Sequence, residues 1–139
     1  MLAHSDVNGT KTWKTPNGEL KVWKAAPHVI VVRFQGPMFD GNLAHLALLE
    51  IERHAVQNKL DIFHDWEGME LYATEARTLM TERAIPIASR INSLNVLFDS
   101  KVVRMGVSMA NLKLGGIRMF TTREEFEQAI QQAVNNRPA

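Results

Sequence analysis

No cysteine occurs in the 139 residues, which excludes disulfides, thiolate metal sites and thiol redox chemistry and makes a reducing compartment, the cytoplasm, the expected setting. Charge of neither sign is in excess. Sixteen Lys and Arg against fifteen Asp and Glu leave a net charge of +1, too little to draw a nucleic acid or an anionic membrane from a distance. No apolar run approaches the roughly 18 residues of a membrane-spanning helix, and Met1 to Gly9 has no basic segment leading into an apolar one, so neither spanning nor export is expected. Sequence marks of common chemistries are missing as well. Gly115-Gly116 has no Lys-Ser/Thr partner and is no phosphate-binding loop, and neither a His-Glu-x-x-His pair nor a Gly-x-Ser-x-Gly nucleophile turn occurs.

What is present, 45% hydrophobic and 22% charged residues, suffices for one globular domain with its own core. A single domain over 1–139 is expected, with 1–9 and 135–139 as flexible ends. Thr10 to Thr15 and Glu19 to Lys24 flank Pro16-Asn17-Gly18 and predict a hairpin on which Trp13 and Trp23 can pair. The unbroken run Val29-Ile30-Val31-Val32, within His28 to Gln35, predicts a central strand covered on both faces, stopped by Gly36-Pro37. A helix from Gly41 to about Gln57 follows, with Ala44, Ala47, Leu48, Ile51 and Ala55 at helical spacing. Leu60 to Trp66 reads as a strand, the residues after it as an irregular stretch, and Thr74 to Ile91 as a helix broken near Ile85 by Pro86. Ser93 to Phe98 is a further strand, Asp99-Ser100 a cap, and Lys101 to Leu114 a helix ended by glycine. Ile117 to Thr121 is the last strand, and Thr122 with Glu125 opens the last helix as a capping box. Strands alternating with about four helices predict an α/β domain, its central sheet mostly parallel with an antiparallel hairpin at one edge.

This order of elements, from about Glu19 to Val134, resembles the STAS domains, the SpoIIAA-like anti-sigma factor antagonists and the wider STAS/SEC14-like group. In those antagonists a strand leads through a loop to an Asp-Ser-Ser/Thr-Gly helix start whose hydroxyl is phosphorylated by an anti-sigma kinase. The corresponding stretch here is Asp65-Trp66-Glu67-Gly68-Met69-Glu70-Leu71-Tyr72-Ala73-Thr74-Glu75-Ala76. Thr74 falls at the acceptor position, whereas Ala73 stands in place of the Asp and Glu75-Ala76 in place of the small residues. The resemblance implies a non-catalytic, protein-binding regulatory or signalling module, with Thr74 as the candidate phosphorylation site. The alternative is a SEC14-like carrier of a lipid or small apolar ligand, with a cavity between the sheet and the Ala44 or Val102 helix.

Candidate partner-binding residues are Glu70, Tyr72, Thr74, Glu75, Arg77, Met105 and Met109. Thr74 has a plain structural reading as well, since Thr is a favoured helix N-cap worth about 1 kcal/mol. A phosphate there, beside Glu70 and Glu75, would favour the helix dipole and repel an acidic partner. On the Lys101 to Leu114 helix, Val102, Met105, Met109 and Leu112 form one apolar stripe and Val103, Val107, Ala110 and Leu114 another. Such a helix is either packed on both sides or leaves its Met-rich stripe for a partner or for self-association. The strand edge of the hairpin is a second route to a homodimer. The five histidines do not make a metal site. His45 and His54, nine residues apart, face opposite sides of a helix turning about 100° per residue, and His64 and Asp65 are neighbours on a strand and point to opposite faces. No cofactor, metal, catalytic residue or nucleic-acid partner is expected.

Overall fold

A computed structural model describes residues 3–7 and 9–136; the expectation of flexible ends, where it concerns 1, 2, 8 and 137–139, lies outside the described residues. Seven strands form one sheet in sequence order: β1 (Ala3–Val7), β2 (Thr10–Thr15), β3 (Gly18–Ala26), β4 (Val29–Phe39), β5 (Leu60–Tyr72), β6 (Ile91–Phe98) and β7 (Arg118–Phe120). β1 to β4 are antiparallel neighbours and β4 to β7 parallel ones. The sheet is therefore mixed, and the expected hairpin is the middle of a longer antiparallel meander that extends the main sheet. The helices are α1 (Gly41–Ala55), α2 (Thr74–Ala84), α3 (Lys101–Leu114) and α4 (Arg123–Asn135), with a 3-10 turn, Ile85–Arg90, after α2. Pro86 lies in the first positions of that turn, the break its missing N–H predicts.

Val29 to Val32 are all buried, and alternate residues serve two cores. Ile30, Val32 and Phe34 face α1, α2 and α3 with Leu43, Ile51, Met69 and Val103. Val29 and Val31 face α4, whose Phe126 packs edge-on against Phe63 and Phe120 with ring centroids 5.6 Å apart. The same alternation separates the two hairpin tryptophans. Trp13 lies opposite Leu20 on the first face, while Trp23 lies opposite Val31 and packs on the second, beneath the Arg33 guanidinium. They do not pair with each other, because residue 23 is an odd number of positions beyond Trp13's partner.

Two strands run further than their sequences predict. Gly36 and Pro37 do not end β4, which continues to Phe39 beside the β2–β3 turn. A Cβ on Gly36 would lie 2.5 Å from Gly18 Cα, so glycine permits that approach rather than stopping the strand, and Met38 N–H donates to the Asn17 carbonyl at 3.2 Å. Likewise Glu67 to Tyr72 is not irregular. It pairs with Gln35 to Phe39 after a register shift at Arg33/Gln35, which carries β5 to the start of α2. Glu50 of α1 is 9% exposed and held between Lys11 at 3.2 Å and Arg53 at 2.7 Å.

Candidate functional site

The C-terminal ends of parallel strands are where α/β sheets gather their loops and place their sites. Here β4 delivers Asp40, which caps α1 by accepting from Leu43 N–H at 2.9 Å, and β6 delivers Ser100, which caps α3 by accepting from Val102 and Val103. Ser100 also donates to the Glu70 carbonyl at 3.4 Å, tying the end of β5 to the start of α3. Tyr72 continues that contact. Gly106 of α3 lies so close to its ring that a Cβ there would be 2.6 Å from the Tyr72 hydroxyl.

The chain then turns into α2, and Thr74 is not its cap. Ala73 holds the N-cap position without a side-chain bond, and Thr74 is the first helical residue, exposed, its hydroxyl making no hydrogen bond among the described residues. The shift is one residue: β5 pairs as far as Tyr72, opposite Phe39, so the single extended residue left before the helix is Ala73. Glu75, also exposed, leans against Gly41 at the start of α1. One turn on, Arg77 Nη1 reaches Met109 Sδ at 3.7 Å. The structure thus brings Glu70, Tyr72 and Arg77 along one seam of β5 and α2 against α3, where Arg77 meets Met109, with Thr74 one turn before Arg77 at the start of α2 and Glu75 on the α1 side.

On α3 the two apolar stripes have different fates. Val103 and Val107 are buried, and Ala110 and Leu114 pack on the core. Val102, Met105, Met109 and Leu112 stay in solvent at 45, 65, 43 and 88% exposure. Lys101, Arg104 and Lys113 are the charged residues of this helix, and all are exposed.

Beneath the seam, between the sheet and α1 to α3, lies an apolar cavity of about 70 Å³. It is too small for the lipid of a SEC14-like carrier, for which several hundred Å³ would be needed. His64 and Trp66 of β5 line it, their rings tilted 32° to each other with centroids 4.7 Å apart. Burial pushes His64 from 6.5 down to about 3, so its ring is neutral. Asp65 points to the opposite face, as expected of a strand neighbour, where it accepts from Arg33 at 2.9 Å and Arg123 at 3.0 Å. His45 meets Arg83 Nη1 at 2.7 Å and His28 meets the Ala133 carbonyl at 2.7 Å; among the described residues no three His, Asp or Glu are placed to hold a metal. A wider cleft of about 480 Å³ opens on the α4 side near His28, Asp61 and Ser93. Asp61 there is already paired with Asn92 and Ser93, at 2.8 and 2.6 Å.

An antiparallel meander runs into a parallel βαβ sheet, with three helices on one face and one on the other. The chain has a SpoIIAA-like fold. A solved structure of the anti-sigma factor antagonist SpoIIAA in its unphosphorylated form superimposes with a TM-score of 0.64 at 16% identity, over 82% of this chain and 96% of that one. An uncharacterised protein from Shewanella loihica PV-4 with a SpoIIAA-like fold gives a TM-score of 0.58 at 6% identity, over 84% of this chain and 96% of that one. No protein-family model and no curated protein matches the sequence.

Proposed function

We propose that the chain is a non-catalytic regulatory module of the cytoplasm that binds a partner protein through the seam of β5, α2 and α3. The observation that carries this reading is the exposed stripe Val102, Met105, Met109 and Leu112, which α2 meets through Arg77, one turn after the exposed Thr74. Methionine side chains adapt to a partner's shape, and exposed apolar residues in a row mark interaction surfaces. The partner is an apolar surface with an acidic rim, because the stripe is flanked by Lys101, Arg104 and Lys113 with no acidic residue on the helix. Phosphorylation of Thr74 would add nearly two negative charges at the edge of that surface and weaken docking. The likeness to SpoIIAA supports the fold, and the regulatory role is carried over from it as part of this proposal.

Affinity purification of the tagged protein from its own cells, with mass spectrometry of the co-purifying proteins and of the intact chain, tests the reading. A partner recovered with the wild type is expected to be lost from Met105→Glu/Met109→Glu and from Thr74→Glu, with folding unchanged. Retention of the partner by both variants, or recovery of no partner, would overturn it.

A further inference from the structure

We infer that the cleft on the α4 side of the sheet binds a small zwitterion, with an ammonium group at Asp61 and a carboxylate at Lys59 and Arg118. The cleft lies on the face opposite the docking seam and does not depend on it. Among the described residues three carboxylates are buried, those of Glu50, Asp61 and Asp65. Glu50 and Asp65 are each held by two cationic side chains. Asp61, 7% exposed, lines the cleft and has no cationic partner among the described residues. Its bonds from Asn92 and Ser93, at 2.8 and 2.6 Å, both fall on Oδ1, and Ser93 Oγ accepts in turn from Asn95 at 3.0 Å. The carboxylate is therefore fixed in place with Oδ2 left open. A buried carboxylate is seldom without a countercharge, and water in the cleft can solvate Oδ2 but brings none.

Size and charge narrow the occupant. A cleft of about 480 Å³ is in the range of small-molecule sites, ~300–1,000 Å³. Gln132, Ala133 and Asn136 line it from the C-terminal end of α4, whose last turn has no basic residue, so the partial negative charge of the helix end also favours a cation there. Among the described residues no three His, Asp or Glu are placed to hold a metal, which leaves an ammonium group. Lys59 and Arg118 are exposed at the same cleft, form no ion pair among the described residues, and would repel a plain cation; a carboxylate on the same molecule answers both. Asp61 lies opposite Ser93, and Asn95 opposite Arg118. Asp61 and Arg118 are thus two strands and two residues apart, about 12 Å between backbones at ~4.8 Å per strand and ~3.3 Å per residue. With both side chains reaching inward, that span suits a short amino acid, and Phe63 and Ala129 give its carbon chain an apolar wall.

Titration of the labelled protein with 4-aminobutyrate, butylamine and butyrate is the test, followed through the backbone amide signals of Asp61, Asn92 and Ser93 in proton–nitrogen correlation spectra. The expected result is a saturable shift with 4-aminobutyrate, with butylamine and butyrate each about tenfold weaker or more because each leaves one charge of the cleft unpaired. Asp61→Asn keeps an acceptor for Asn92 and Ser93 and should lower 4-aminobutyrate affinity to the level of butyrate. Where that variant does not fold, Lys59→Gln/Arg118→Gln, at two exposed positions, should lower it to the level of butylamine. No saturable shift, equal binding of butylamine, or equal or tighter binding of butyrate would overturn the inference, the last by pointing to an anion site at Lys59 and Arg118.

Discussion

Replacing His64 by Leu should remove a large part of the protein's acid sensitivity. In the folded chain the ring is buried and its pKa is pushed from 6.5 to about 3, so between those values the unfolded state binds a proton that the folded state refuses. Stability therefore falls as pH falls through this window, and is fully present above about 6.5. At ~1.4 kcal/mol per unit, the step from pH 7 to pH 5 removes about 2 kcal/mol of the folding free energy through this one group. His64→Leu abolishes that contribution. Leucine also matches the apolar wall formed by Phe39, Met69 and Val103 and leaves no orphaned nitrogen. Urea unfolding of both proteins at the two pH values gives the measurement, and comparing the two pH-dependent losses cancels other titrating groups such as the half-buried His54. The wild type should lose about 2 kcal/mol more than the variant. Equal losses would refute the reasoning, because they would mean that His64 is protonated in the folded protein or reaches solvent.

Two further outcomes are expected. Asp65→Ala should cost about 2–3 kcal/mol in denaturant unfolding, less than the ~3–5 kcal/mol of a fully buried pair, because the Arg33 and Arg123 side chains keep 31% and 39% exposure; a loss below about 1 kcal/mol would reduce the cluster to a surface ion pair. Gly106→Val should push the ring of Tyr72 out of its place against α3 and destabilise by about 1–3 kcal/mol, and because Tyr72 is the only tyrosine, near-ultraviolet circular dichroism of the variant would report an unchanged environment if the contact were unimportant.

Most of the secondary structure is legible in the sequence because its periodicity is strong. α3 begins at Lys101 and ends at Leu114 as its apolar spacing and flanking Ser100 and Gly115 indicate, and the apolar run from Val29 to Val32 marks the strand buried on both faces. The extensions of β4 and β5 are hidden by their own residues. Gly36, Pro37 and Gly68 look like punctuation, and only the backbone of the β2–β3 turn and the side chain of Gln35, which press on Gly36 and Gly68, explain why small residues sit inside paired strands. Missing the extension of β5 also misplaces the cap of α2 by one residue, from Ala73 to Thr74. Which stripe of α3 faces water is not readable either, since both are apolar; it is decided by Tyr72, whose ring needs the absent side chain of Gly106 and so turns the Val103 and Val107 side inward. The cavity had no periodic signal at all, because Trp66 and His64 are set together by the pleat of β5 and the helices covering them.

The two halves of the candidate site are not independent. Tyr72 and Arg77 line the cavity, and the same two side chains touch α3 at Gly106 and Met109. α2 carries one of them and begins just after the other, and it ends in a 3-10 turn with no buried residue. A partner seated on Met105 and Met109 would thus bear on the contacts that close the cavity. Arg77→Ala tests that coupling: a fall in partner affinity with the Met105 and Met109 stripe intact means that the α2–α3 contact supports the docking surface, whereas an unchanged affinity confines docking to α3 itself.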